Sequence, residues 1–400
     1  MPRTGARAAR GLLAPLRVAL DGRVIGDHFP GIGRYAYQLA DALGALAAGE
    51  AVDLELLLLH LPGQRDARFE LQSLTRWPAL RLVPVRAPVF GLASQWRIPR
   101  LLRREQAQVW HATYWLGAWR SGLPTVLSLY DLIGRRLPGA LPSARGRLLG
   151  LALHQALRGA DAVLTISEAA RRDILSSGVA SERVTVTPLA ADPRFSPRPE
   201  TEIAALRKKL GLPERYVLYL GINKPHKNLE TLVRSWGLLA ELRANRPDAA
   251  DPVELVIAGR WDPRYPESRR LAEQLPAGAR PRFIGAVDEA DLPALYAGAA
   301  VFAFPSRYEG FGLPPLEAMA CGTPVVAAAA SSLPEVVGEA GLLIAPEDPS
   351  AWARALGRLL DEPGLAADLA LRGRARAAEF SWAATARRTL AVYRALAGPV

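Results

Sequence analysis

Cysteine, methionine and lysine are nearly missing from these 400 residues, which hold one Cys, two Met and four Lys against 46 Arg. The lone thiol, Cys321, excludes a disulfide framework and a cysteine-based metal cluster; beside Ala320 it reads as small apolar filler. A reducing compartment, the cytoplasm, is the expected setting. No apolar run reaches the roughly 18 residues of a spanning helix, because arginines or prolines interrupt each candidate. The basic opening, residues 1–14, has only Leu12-Leu13-Ala14 as an apolar centre, too short for a signal peptide, and is expected to be a disordered leader.

Half of the chain is hydrophobic, which excludes a disordered polymer, and its length allows two or three domains with sizeable cores. The net charge of +11 is uneven. Residues 1–200 carry 26 Arg and no Lys against 16 acidic residues, so almost the whole surplus is N-terminal. There, Arg97, Arg100, Arg103 and Arg104 alternate with Trp96, Ile98, Leu101 and Leu102. The pattern suits either a basic amphipathic face on anionic lipid or a solvated face. Nucleic acid is not expected, since no finger, RNP-like or basic-zipper pattern occurs.

Strand-like runs at 16–20, 54–59, 80–85, 109–112, 125–130, 162–166 and 184–188 alternate with helical patterns, among them 143–158 and 168–177. A second series follows at 216–221, 253–259, 282–285, 301–304, 324–327 and 341–344, then closing helices at 363–380 and 382–397. Such alternation predicts doubly wound parallel sheets in two Rossmann-like halves. The expected boundaries are a first domain at 15–192, a Pro- and charge-rich linker at 193–215, a second domain at 216–378 and a terminal helix at 379–400. Ligands on such sheets bind beyond the carboxyl ends of strands, which selects His111 after Val109-Trp110 and Asp131 after Leu127-Ser-Leu-Tyr. A His near apolar residues can equally be a satisfied core group.

The richest stretch is P-S-R-Y-E-G-F-G-L-P-P-L-E-A-M-A-C-G-T-P, residues 305–324, after the apolar run Val301–Phe304. Pro314 and Pro315 pre-set φ for a first turn, so a helix is expected to begin within a residue of Pro315, with Glu309 in the loop and Glu317 in the first turn. Gly310 and Gly312 let the backbone approach a ligand and aim N–H groups at an anion near the positive helix end. That suits a phosphate, and carboxylates eight apart could accept from hydroxyls on either side of it, which describes a nucleotide sugar. The alternative is a structural glycine-rich turn of the kind common in α/β proteins.

The same residues resemble the Glu-x7-Glu donor-binding motif of glycosyltransferase family 4, the retaining enzymes of GT-B architecture. The resemblance implies two Rossmann-like domains facing each other across a cleft, the closing helices crossing back to the first. It places Glu309 by the donor sugar, Glu317 on the ribose hydroxyls, and the amides of Phe311, Gly312 and Leu313 near the sugar and distal phosphate. Gly221-Ile-Asn-Lys-Pro-His-Lys-Asn228 is similar to the family's Gly-Arg-x-x-x-Arg/Lys-Lys phosphate clamp. There Lys227 would meet phosphate, Ile222 and His226 depart from the pattern, and Lys224 could supply the missing charge. V-W-H-A-T-Y-W looks like the family's His segment facing the donor sugar, and Y-D-L stands where many members read H-D-L, so Tyr130 is a departure. Gly31-Ile-Gly-Arg-Tyr35, read as a loop leading into a helix, resembles a loop bordering the acceptor and donor phosphates, which makes Gly31, Gly33 and Arg34 site candidates. Asp161 to Glu168 matches a family strand and turn, with Ser167 as cap for the next helix.

The implied chemistry is retaining transfer of a hexose from GDP-mannose or a UDP-hexose to a saccharide or lipid-linked acceptor, with peripheral contact at the inner face of the plasma membrane in the lipid-linked case. The sequence contains no Asp-x-Asp, so no metal or other cofactor is expected: Lys227, the loop amides and a helix N-terminus would stabilise the departing nucleoside diphosphate. Glu309 would orient sugar hydroxyls, and the departing phosphate would take the acceptor proton. A sugar-nucleotide epimerase on the same fold and a non-catalytic basic binding protein are the competing readings.

Overall fold

The computed structural model describes residues 15–50, 52–132, 144–244 and 252–398, with side chains omitted at 144–148. The expected leader, 1–14, lies outside the described residues. Two sheets form, each parallel throughout the pairings recorded. The first has the order β3-β2-β1-β4-β5-β6-β7 and the second β10-β9-β8-β11-β12-β13. The first is built from β1 (Leu16–Asp21), β2 (Leu54–His60), β3 (Leu80–Pro84), β4 (Val109–Ala112), β5 (Thr125–Ser128), β6 (Ala162–Thr165) and β7 (Val184–Val186). The second uses β8 (Tyr216–Leu220), β9 (Glu254–Ala258), β10 (Arg282–Gly285), β11 (Val301–Phe304), β12 (Val325–Ala328) and β13 (Leu342–Ile344).

Central strands are apolar on both faces: Leu56 to Leu59 in β2 and Val301 to Phe304 in β11 are buried without alternation, as expected of a parallel sheet covered on both sides. Between strands run α1 (Pro30–Gly49), α2 (Ser94–Arg104), α3 (Ala144–Gly159), α4 (Glu168–Leu175), α5 (Glu200–Leu210), α6 (Leu229–Ala244), α7 (Glu267–Glu273), α8 (Leu292–Ala297), α9 (Leu313–Ala320) and α10 (Leu333–Val337), and β13 is followed by α11 (Pro349–Asp361), α12 (Pro363–Ala378) and α13 (Trp382–Ala397). Every expected strand is present, several one or two residues shorter. Among the described residues no helix is long and apolar enough to cross a membrane.

The chain divides into two compact units: the described parts of 1–129, 148–164 and 383–400, and those of 130–147 and 165–382. The division differs from the expected boundary near 192, for a reason visible within the second unit. Glu335 accepts from the amides of Glu168 (2.7 Å) and Ala169 (2.6 Å), the Ser167 hydroxyl donates to Gly310 O (2.7 Å), and the Tyr308 hydroxyl donates to Asp173 (2.6 Å), so the start of α4 is tied to the 308–335 loops. Ser167 caps α4 as anticipated, its side chain accepting from Ala170 N at 3.0 Å. The stretch expected as a linker carries α5, closed by Gly211 in the left-handed region at φ 61°.

Three local expectations are corrected. α9 begins at Leu313, not within a residue of Pro315: the first turn's N–H groups have no intrahelical acceptor, so two prolines fit at its second and third positions. Glu317 consequently opens the second turn. Likewise α1 begins at Pro30, so Gly31, Gly33 and Arg34 are helical and not part of a preceding loop. In α2, Ile98, Leu101 and Leu102 point into the core, which removes them from the proposed lipid face and leaves exposed Trp96 beside the arginines.

Candidate functional site

In the second sheet the winding reverses between β8 and β11, and the carboxyl ends at such a reversal are where α/β sheets receive ligands. Two loops leave this point, 221–228 after β8 and 305–312 after β11. They are knitted by backbone and side-chain bonds. His226 O accepts from Arg307 N (2.8 Å) and from the Ser306 hydroxyl (3.1 Å). Buried Asn228, at φ 56°, donates from its side chain to Pro305 O (3.1 Å) and Pro346 O (2.7 Å) and accepts from the Thr231 hydroxyl (2.8 Å). Asn tolerates the left-handed region better than other side chains, which suits it to this crossing.

Across these loops Lys227 Nζ lies 2.7 Å from Glu309 Oε1, the two side chains 16% and 13% exposed. The ammonium also sits 5.2 Å from the centroid of the Phe304 ring, a cation–π placement. Neighbouring His226 is held down to about 4, first by burial and then by the Lys227 charge, so its ring is neutral at pH 7 and adds no positive charge. Lys224, on the same loop, is exposed. The loop thus carries one shielded cation and one in solvent.

The Glu309 carbonyl accepts from the hydroxyls of Ser331 (2.7 Å) and Ser332 (3.0 Å), and Ser332 also donates to Phe311 O (2.5 Å). With its carbonyls held from below, the Gly310–Leu313 turn enters α9 through Gly312 at φ 119°. A Cβ on Gly310 would lie 2.7 Å from Tyr130 O and 3.3 Å from Asp131, so the missing side chain is what lets the Tyr130-Asp131 segment pack here. Lys227, Glu309, Gly310, Phe311, Gly312, Leu313 and Asp131 are therefore brought together in one unit. Gly221 closes β8: its amide donates to Ala258 O (3.0 Å), while a Cβ on Gly259, at φ 126°, would collide with the Gly221 carbonyl.

Glu317 sits deeper, 3% exposed on the inner side of α9, where Tyr296 Oη donates to its Oε2 at 3.0 Å. Its charge contributes, after burial, to pushing the Cys321 thiol up to about 12. The expected ribose contact is thus preceded in this structure by a bond to a buried phenol.

His111, Gly31, Gly33 and Arg34 belong to the first unit. His111 is fully buried, its Nδ1 2.6 Å from Tyr393 Oη and its Nε2 2.8 Å from Ser128 Oγ, and burial lowers its pKa to about 3. Both nitrogens are engaged, so the structure gives this ring a core setting in place of the sugar-facing one that the sequence suggested. Gly33 is the packing point of α1, since a Cβ there would lie 2.8 Å from Val24 O.

Asn223, Asn228, Gly259, Ser331 and Ser332 escaped the sequence reading. Asn223 holds the loop after β9, its side chain donating to Asp262 O (2.8 Å) and Tyr265 O (2.6 Å) and accepting from Asp262 N (2.6 Å). The Gly that ends β9 was a legible signal; small polar residues in loops carried none.

Comparison with known proteins bears on the whole chain. The family pattern described as "Glycosyl transferases group 1" matches residues 202–376, and that described as "Glycosyl transferase 4-like domain" matches residues 30–190. The chain is 32% identical over 381 residues to the O-antigen chain mannosyltransferase B of Escherichia coli, covering 92% of this chain and 96% of that one. Among solved structures it is similar to sucrose-phosphate synthase from Thermosynechococcus elongatus, with TM-score 0.70 and 26% identity over 95% of this chain and 98% of that one. HepE of Anabaena, solved in complex with UDP and glucose, has TM-score 0.69 and 20% identity over 94% and 99%.

Proposed function

This chain belongs to the family 4 glycosyltransferases, with GT-B architecture, and from that premise we propose that it is a retaining, metal-independent mannosyltransferase that uses GDP-mannose and a saccharide or lipid-linked acceptor. The observation that carries the donor site is the Lys227–Glu309 pair beside the glycine turn that opens α9. A nucleoside diphosphate brings fixed negative charge to that spot. It competes with Glu309 for the Lys227 ammonium, and the amides of Phe311, Gly312 and Leu313 at the helix start add donors for the distal phosphate. Glu309, displaced from the ammonium, is then placed to accept from hydroxyls of the sugar. Asp131, packed against Gly310, is the second carboxylate within reach of that sugar.

In this scheme the positive groups stabilise the departing diphosphate, which takes the acceptor proton as the new glycosidic bond forms on the face it leaves. No step asks for a covalent glycosyl-enzyme, so the spacing rules of paired carboxylates in glycosidases do not apply. Mannose as the sugar, and polysaccharide or glycolipid assembly as the setting, are supported by the E. coli relative, whose name specifies O-antigen chain mannosyl transfer. Exposed Trp96 and the arginines at 97, 100, 103 and 104 support peripheral contact with anionic membrane where the acceptor is lipid-linked.

The deciding experiment is a thermal-shift and transfer screen of GDP-mannose against UDP-hexoses. A ligand at a hundred times its Kd stabilises by about 2.7 kcal/mol, enough to read as a shift of a few degrees. Stabilisation by GDP-mannose with mannosyl transfer supports the assignment. A UDP-hexose that outdoes it in both would reassign the donor.

A further inference from the structure

In the first sheet the winding reverses between β1 and β4, and the loops leaving those strands carry aromatic rings that no part of the donor chemistry uses. Phe29 ends the loop after β1, Tyr114 lies in the loop after β4, and Phe90 comes from the segment after β3. Phe29 stacks on Phe90 with centroids 5.7 Å apart at 29° and lies 5.5 Å from Tyr114, while His28 stands edge-on to Phe29 at 4.7 Å and 85°. Phe90 is nevertheless 63% exposed and His28 is exposed too. A cluster of rings left open to water in this way forgoes burial worth on the order of 25 cal/mol per Å².

The cluster is mounted on a rigid support. Arg23 and Asp21 form a bidentate pair, Nη2–Oδ2 2.6 Å and Nε–Oδ1 2.8 Å, with side chains 0% and 1% exposed. Arg23 Nη1 also donates to Ala87 O (2.6 Å) and Ser94 Oγ (2.8 Å), and the Thr113 hydroxyl donates to Asp21 O (2.5 Å). One buried ion pair at the end of β1 thus ties together the three segments from which Phe29, Phe90 and Tyr114 project. Breaking such a pair would leave an uncompensated buried charge, so the three segments keep their spacing. Rings held in place before a ligand arrives bind it without the cost of ordering them.

We propose that Phe29, Phe90 and Tyr114, rimmed by His28, form a stacking platform for a pyranose ring of the acceptor, which makes the acceptor's recognised part a saccharide. This rests on the glycosyl-transfer reading and adds to it the acceptor's chemistry and the residues that meet it. A pyranose presents one face of weakly positive C–H groups to the electron-rich faces of aromatic rings and keeps its hydroxyls at the edge, where His28 and solvent can pair with them. The position at the reversal of the sheet is where a ligand of this unit is expected. Aliphatic chains, in contrast, would gain nothing from the imidazole at the rim.

The test uses full-length protein, with mannotriose and the corresponding oligomers of glucose, galactose and N-acetylglucosamine as probes in saturation-transfer NMR. We expect saturation to pass from aromatic protons to pyranose C–H groups of at least one probe. Phe90→Ala should raise the apparent Kd for that probe by roughly tenfold, the size of one aromatic contact, while Phe90→Tyr restores it. Phe90 is exposed, so the alanine variant should fold, and its thermal melt should match wild type. Saturation transfer to none of the four oligosaccharides overturns the proposal, as does a Phe90→Ala variant that keeps saccharide affinity but loses co-sedimentation with anionic vesicles, the signature of a lipid surface. Wild-type protein that binds saccharide on these rings but neither hydrolyses nor transfers any nucleotide sugar would support the platform and overturn the transfer reading instead.

Discussion

Lys227 Nζ and Glu309 Oε1, 2.7 Å apart on loops from two adjacent strands, satisfy one another. Removing either partner therefore has opposite consequences for a diphosphate. Lys227→Ala should weaken GDP binding by about tenfold to a hundredfold, the worth of a charge-assisted hydrogen bond. Glu309→Gln should leave GDP affinity unchanged or tighter, because the ammonium loses its competitor, yet lower turnover by about a hundredfold or more through the lost contact to the sugar. Calorimetry with GDP alongside a transfer assay measures both. Equal loss of nucleotide affinity in the two variants would mean that Glu309, too, holds the nucleotide.

Metal dependence follows from the same diphosphate-binding groups. With Lys227 and the amides at the start of α9 as the stabilising groups, transfer should persist in excess EDTA at close to its full rate. Strict dependence on added manganese would place the diphosphate's counter-charge elsewhere.

Gly310 sets a further test, because the position a Cβ would take faces Tyr130 O. Gly310→Ala places a carbon 2.7 Å from that backbone oxygen, which has little room to give, and 3.3 Å from the Asp131 side chain. We expect destabilisation of about 1–3 kcal/mol in urea melts together with a loss of turnover larger than that of nucleotide affinity. A variant with wild-type melting and turnover would show that the Tyr130-Asp131 segment moves freely against this loop.

What the sequence could reveal here depended on range. Strands announced themselves by unbroken apolar runs, and the Pro305–Pro324 stretch by glycines and carboxylates at fixed spacing, because those signals are local. The environment of Glu317 was not legible: Tyr296 lies 21 residues away and becomes its partner only once α8 and α9 pack. His111 is similar, for its second partner, Tyr393, is 282 residues distant. α2 misled for a different reason, as the 3.6-residue alternation that fits a lipid face is the same one that buries Ile98, Leu101 and Leu102 against a core.

The arginines of α2 still make a membrane prediction, now resting on charge and on exposed Trp96 alone. Replacing Arg97, Arg100, Arg103 and Arg104 with Gln should abolish co-sedimentation with anionic vesicles at low salt and leave GDP binding unchanged. Added salt should weaken wild-type binding, since the reach of exposed charges falls to about 8 Å at physiological ionic strength. Wild-type protein that stays in the supernatant at low salt would return these residues to the role of a solvated face.

The buried His111 predicts how stability responds to acid. Ser128 donates its proton to Tyr35 Oη at 2.9 Å, so its oxygen accepts from His111 Nε2–H, and Nδ1 is left to accept from Tyr393, whose phenol burial keeps well above its ordinary pKa. This chain of bonds fits a neutral ring only; a second ring proton would meet the Tyr393 proton head-on. With a pKa lowered by burial to about 3 against 6.5 in the unfolded chain, the unfolded state takes up this proton first as pH falls. Stability is therefore full above about pH 6.5 and declines from there toward pH 3, at about 1.4 kcal/mol per pH unit from this group alone. His111→Asn should be less stable at pH 7, since Tyr393 and Ser128 lose a shared partner, but its stability should fall less steeply between pH 6 and 4. Urea melts of both proteins at half-unit intervals give the two slopes, which share every other titrating group. Parallel slopes would mean that His111 is already protonated in the folded protein and that the bond network runs the other way.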